Sequence, residues 1–222
     1  KAYAGGKFPG GFFRREGRPT ENAILTARAI DRPMRPLFPD DYRNDVVLSN
    51  MVLAADPDNQ PEILAMNGSS LAVTISDIPF DGPIASVQVG FIDDEFILMP
   101  TEEERNESLL DLLVSGSHDK ICMIEAGANE VPDDIVLEAI EFAHEAIIDL
   151  CDFMKEIADE IGQEKAEYES FATPVELIDE ASRLFGDRLA TAMDTTDNGQ
   201  RTADVDRLHQ ELKANWEGDE NK

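Results

Sequence analysis

The sequence predicts a layered α/β (α+β) domain followed by a small all-helical unit. Up to Gly162, β-branched or alternating runs are interleaved with runs of helical spacing, and the series closes on one long helix pattern. From Gln163 onward no strand-like run occurs, and two amphipathic helical patterns follow. With 222 residues, 42% of them hydrophobic, the chain can bury one substantial core and carry an appendage. The expected domains are 1–162 and 163–222.

The elements follow in order. Thr20 is placed to cap a helix over ENAILTARAID, with Ala23, Ile24, Ala27 and Ile30 as its apolar face and Pro33 as its stop. Residues 45–55, DVVLSNMVLAA, read as a buried strand, and DPDNQP turns the chain. Residues 61–76 show helical spacing, with Gly68, Ser69 and Ser70 in mid-run as a close-packing surface rather than a phosphate cradle, because anion sites need free N–H groups at a helix start. Residues 84–100 alternate and place Asp93 and Asp94 at a tight hairpin turn. Strands are expected at 109–116 and 120–126. Pro132 then opens a helix with apolar residues at spacings of three and four from Ile135 to Ile157. Two further helices, over PVELIDEASRLFGDRLATAMD and TADVDRLHQELKANW, flank TTDNGQR, and the closing EGDENK reads as disordered.

Charge is distributed unevenly. The formal net charge is -28, yet residues 1–38 hold eight Lys and Arg against three Asp and Glu, which leaves -33 for the rest. Such a body repels nucleic acid at long range, and only a concentrated cationic segment could hold it. Acidic bodies also occur in proteins adapted to high salt, and only 7 of the 19 basic residues are lysine. No stretch reaches the roughly 20 apolar residues of a membrane span, and no secretory signal opens the chain. Cys122 and Cys151 lack metal-ligand spacing, which favours a reducing, cytoplasmic setting. The chain begins at Lys1 rather than Met and reads as part of a longer protein.

Familiar catalytic patterns are missing: no nucleophile elbow, phosphate loop or Cys/His ligand set occurs. The histidines are His118, His144 and His209, and Glu141 with His144 lacks the second pair that di-iron chemistry needs, so His144 reads as a packing residue. What remains is FFRREGRP, residues 12–19. Arg14, Arg15 and Arg18 can grip phosphate bidentately while Phe12 and Phe13 offer stacking faces, a grip blind to base identity. The same string also suits a turn with a buried aromatic pair. Arg28, Arg32 and Arg35 either extend the cationic surface or pair with Asp31 and capping carbonyls.

GGFFRREGRPTENAILTARAIDRPMRPLFP and IPFDGPIASVQVGFIDDEFILMPT closely resemble the first ribonuclease PH-like core of the bacterial polynucleotide phosphorylases, from about Phe8 to Gly162, and the following region resembles that family's all-helical domain. The resemblance implies a ring-shaped homotrimer that degrades RNA from the 3′ end with inorganic phosphate, releasing nucleoside diphosphates. It places Phe12, Phe13, Arg14, Arg15 and Arg18 as RNA-binding residues at a central channel. Magnesium and phosphate are expected in a second core, with single-stranded RNA and RNA degradosome components as partners.

The departures are equally specific. The glycine-serine run that holds phosphate in the family's catalytic core falls here on Asn59, Gln60, Pro61 and Glu62, and its aspartate, aspartate and lysine fall on Arg105, Asp111 and Leu113. Glu62 repels phosphate and Arg105 puts a positive charge where a cation should sit. No catalytic or metal residue is therefore assigned, and the chain by itself is expected to be inactive. The alternative is a non-catalytic RNA-binding scaffold subunit of an exosome-like ring.

Overall fold

The computed structural model describes residues 19–216, so the FFRREGRP residues up to Arg18 and the closing EGDENK lie outside the described residues. The chain divides into two compact units, Lys1–Glu169 and Ser170–Lys222. The segment after Gly162 stays with the first unit because it is bonded there. Gln163 N–H donates to the Ile75 carbonyl and Ala166 N–H to that of Asp77, and the Lys165 ammonium donates to the carbonyls of Val73, Thr74 and Ser76. Burial lowers the Lys165 pKa, with nearby Asp77 opposing the shift.

The first unit is built on a four-stranded antiparallel sheet of β1 (Ala85–Ile92), β2 (Glu95–Leu98), β3 (Leu110–Gly116) and β4 (Ile121–Ala128), in the order β2-β1-β3-β4. The β1–β2 turn is the expected one: Asp93 and Asp94 both adopt positive φ, 49° and 62°, which aspartate tolerates and a primed hairpin turn requires. Alternation sorts the faces of β1. Ala85, Val87, Val89 and Phe91 point into one core with Leu110, Leu112 and Val114 of β3, while Ser86 and Gln88, also buried, face the other way.

Helix α4 (Asp133–Ile161) lies on the apolar face, where Ala139, Ala143, Ile147 and Cys151 are completely buried. The opposite face is covered by α1 (Glu21–Met34) and α2 (Pro61–Ile75), whose Ile30, Met34, Met66 and Val73 gather with Ile84 against Leu113 and Met123. Polar side chains fasten α2 to β1. Asn67 brackets Ser86, accepting from its N–H at 2.7 Å and donating to its carbonyl at 2.9 Å. The Ser70 hydroxyl accepts from Ile84 N–H, and Ser86 pairs with Ser115. Ser69 donates to Asn50. Gly68, Ser69 and Ser70 are thus a packing surface.

Three expectations change. Residues 45–55 form no strand: they run extended with Val47, Met51 and Leu53 each more than 80% exposed, since a β-branched run becomes a strand only where an edge is available to pair with it. Pro33 does not stop α1. It sits in the last turn, its ring fully buried, which offsets the lost hydrogen bond, and a 3-10 turn over Arg35–Leu37 continues the chain. Ile24 remains 47% exposed, so the packed part of α1 is its second half. The six-residue α3 (Glu102–Glu107) is an addition, and Thr101 starts it with a full capping box to Glu104.

The second unit contains α5 (Val175–Met193) and α6 (Asn198–Trp216), joined across their length by Arg188 and Glu211 at 2.7 Å. Helix α6 starts four residues before the expected TADVD because the Asp197 carboxylate caps Gln200 N–H at 2.7 Å.

Two measurements check this packing. Ile147→Ala should cost about 2–5 kcal/mol in urea unfolding, as a cavity between α4 and the sheet, whereas Ile24→Ala should change little. The Glu104 carboxyl accepts from Thr101 N–H and hydroxyl at 2.8 Å each, which lowers its pKa from the ordinary 4.5. A depressed carboxylate contributes its stability above the unfolded value and loses it as pH falls through the folded one. Amide exchange at Thr101 should therefore accelerate relative to neighbours on acidification below 4.5, and Glu104→Gln should remove that dependence.

Candidate functional site: a cleft closed by an arginine

The sites read from the sequence fall into two sets. Phe12, Phe13, Arg14, Arg15 and Arg18 lie outside the described residues. Asn59, Gln60, Pro61, Glu62, Arg105, Asp111 and Leu113, drawn from three separate stretches, all line one cleft of about 790 Å³ between α1, the start of α2 and the polar face of the sheet. Gly68, Ser69 and Ser70 do not line it.

Each position is set by an ordinary local device. Gln60 is the N-cap of α2 and makes no side-chain cap bond, and Pro61 removes one of the free N–H groups an anion would use. Glu62 occupies the first turn, where the helix dipole favours its own negative charge, and it accepts from the Asn22 amide at 3.4 Å. A carboxylate therefore occupies the first turn of α2.

Asp111 and Leu113 alternate on β3 and so face the cleft together, opposite the core side of Leu112. Gln88, across the strand pair, donates its amide to the Asp111 carboxylate in a very short contact. Gln88 is 6% exposed. Asp111 thus accepts from a neutral side-chain donor. Arg105 on α3 donates from one guanidinium nitrogen to the Pro100 carbonyl at 2.7 Å and from the other to the Pro57 carbonyl at 2.9 Å. Together with the Asp58 carboxylate, which accepts from Glu102 N–H, it ties the 56–60 loop to the start of α3. Among the described residues no group of three or more His, Cys, Asp or Glu side chains is arranged to hold a metal ion.

Two arginines at the end of α1 and just after it are paired. Arg35 grips Asp31 with three hydrogen bonds, the shortest 2.7 Å, and Arg32 reaches Glu125 of β4 at 3.6 Å. His144 contacts the Ser117 carbonyl at 3.2 Å, a packing role as expected. Cys151 is buried and its thiol is pushed up to about 11, with no metal-like neighbours. Gln88 was the residue the sequence reading passed over. Its signal is a polar side chain at an alternate position of an otherwise apolar strand.

Comparison with known proteins identifies a family. The model for domain 1 of the 3′ exoribonuclease family matches residues 1–79, and the model for domain 2 matches residues 82–146, so both parts occur in order over most of the chain. The chain belongs to the 3′ exoribonuclease family. Its relatives include polyribonucleotide nucleotidyltransferases from Ruminiclostridium cellulolyticum, 48% identical over 96% of this chain and 30% of that protein, and from Alkaliphilus oremlandii, 51% identical over 95% of this chain and 30% of that protein. The corresponding protein of Staphylococcus carnosus is 49% identical over 100% of this chain and 32% of its own length. The chain therefore spans about a third of the length of these relatives. Among solved structures, rice Rrp46 superposes with a TM-score of 0.51 at 12% identity, covering 65% of this chain and 69% of that one, which supports the ribonuclease PH-like fold.

The cleft analysis makes one prediction. Arg105→Ala strips the donors from the Pro57 and Pro100 carbonyls, which should cost about 1–3 kcal/mol and speed amide exchange in residues 56–60. Unchanged exchange there would show that something else holds the loop.

Proposed function

We propose that this chain is the first-core and helical segment of a 3′–5′ phosphorolytic exoribonuclease, which shortens RNA with inorganic phosphate and releases nucleoside diphosphates. In this reading the segment guides RNA and builds a homotrimeric ring, and catalysis resides in a second core. The observation that carries it is the cleft. The residues at its phosphate and metal positions are Glu62, Arg105 and Leu113, with Asp111 bonded to Gln88, so the fold is present without the chemistry. The relatives' shared designation as polyribonucleotide nucleotidyltransferases supplies the reaction class.

The division of labour follows from the residues. Magnesium, where bound in the second core, would supply cationic stabilisation of the phosphoryl oxygens. Among the described residues no group of three or more His, Cys, Asp or Glu side chains is arranged to hold it, and Arg105 is engaged with two carbonyls. RNA contact is assigned to Phe12, Phe13, Arg14, Arg15 and Arg18, since a processive enzyme needs a grip indifferent to base identity and stacking plus phosphate pairing provides one. The setting is cytoplasmic messenger RNA decay. No helix among the described residues is long and apolar enough to cross a membrane. Degradosome components are further partners in this reading.

Two assays test it. The 222-residue chain should release no nucleoside diphosphate from RNA and phosphate, while the longer gene product should release it; release by the chain alone refutes the assignment. In fluorescence anisotropy with a single-stranded oligonucleotide, Arg14→Ala with Arg15→Ala should weaken binding and flatten the dependence of log K on log salt by about 1–2 units, whatever the sequence.

A further inference from the structure

Helix α4 carries a feature that the proposed function does not use. From Asp134 to Asp159 a carboxylate recurs at every third or fourth residue, eight in all, with Glu141, Glu145, Asp149 and Asp152 at the centre, and every one is exposed. Lys155 is the only lysine or arginine in the helix. It and His118 each approach the ladder at one point, Asp152, and both at 3.9 Å. Like charges at these spacings face each other about 5–6 Å apart and destabilise a helix. The strain cannot be relieved by local fraying, because the opposite side of α4 supplies Ala139, Ala143, Ile147, Cys151 and Met154 to the main core.

We propose that the first unit is a salt-strengthened fold, with the α4 carboxylate ladder as the element that senses ionic strength. The ladder is not a site for one bound ion. Its rungs repel through solvent, and the length scale decides the response. At about 0.1 M salt the screening length is about 10 Å, longer than the rung spacing, and it falls to about 3 Å only near 1 M. Repulsion along the ladder therefore persists at ordinary ionic strength and fades across the range up to molar salt. Among the described residues the attractive pairs that salt would weaken are few and exposed, chiefly Arg35 with Asp31 and Arg32 with Glu125, and such pairs contribute little. The whole chain points the same way, since its net charge of -28 opposes compaction.

The test is thermal unfolding of the 222-residue chain in potassium chloride from about 0.05 to 2 M, beside a triple variant, Glu141→Gln, Glu145→Gln and Asp149→Asn. The wild-type midpoint should rise by about 5–10 °C between the lowest salt and 1 M, most of it below the range where salts act mainly by exclusion from the surface. The variant should start higher at low salt and gain less, so that the two curves converge near 1 M. A flat or falling wild-type midpoint overturns the proposal. Parallel curves overturn it as well, because the rise would then come from salt acting on the surface in general rather than on the ladder.

Discussion

Strand β1 is buried on both faces, and the rest of the first unit depends on how that double burial is divided. One set of alternate residues is apolar and meets α4. The other contains Ser86 and Gln88, which cannot be buried without partners, so each imposes a neighbour: Asn67 and Ser115 for Ser86, Asp111 for Gln88. These bonds fix where α2 sits on the sheet and which way Asp111 is held. A slip of one residue in β1 would send Val87 and Val89 to the cleft and the polar pair into the α4 core. The register that builds the core also builds the floor of the cleft.

The same register places the cleft where three segments meet. The start of α2, the exposed side of β3 and the helix after β2 still converge, although they are remote in sequence. Each contributes a group that is structural here: Glu62 against the α2 dipole, Asp111 against Gln88, and Arg105 across two carbonyls. In the proposed reading this core serves position, and the basic opening segment is the part of the sequence whose charge suits a polyanion. The acidic body sets a conflict, because conditions that quiet repulsion along α4 also weaken phosphate contacts. Base stacking, which depends less on salt, suits such a protein.

How much of this could be read from the sequence depended on whether the signal was local. The α4 period and the Asp93–Asp94 hairpin are local, and both were legible. Residues 45–55 have a strand's composition, but strand formation depends on a partner edge, which composition does not report. Helix α3 has no apolar face to reveal it, and only the Thr101-x-x-Glu104 spacing announces it. The convergence of Glu62, Arg105 and Asp111 was invisible to residue patterns and was reached through family resemblance, since proximity across 40 or more residues is a property of the sheet rather than of any stretch. Gln88 needed the face assignment of β1 before its meaning could be seen.

The arginine across the cleft also bears on how such a core can change over evolutionary time. Arg105 satisfies two backbone carbonyls from different loops, so the architecture relies on it at two places at once. A carboxylate at that position would orphan both carbonyls and add to the acids already lining the cleft, Glu62 and Asp111 among them. Several substitutions would have to arrive together before any one was tolerated. Position 105 can therefore drift only in step with the two loops it joins.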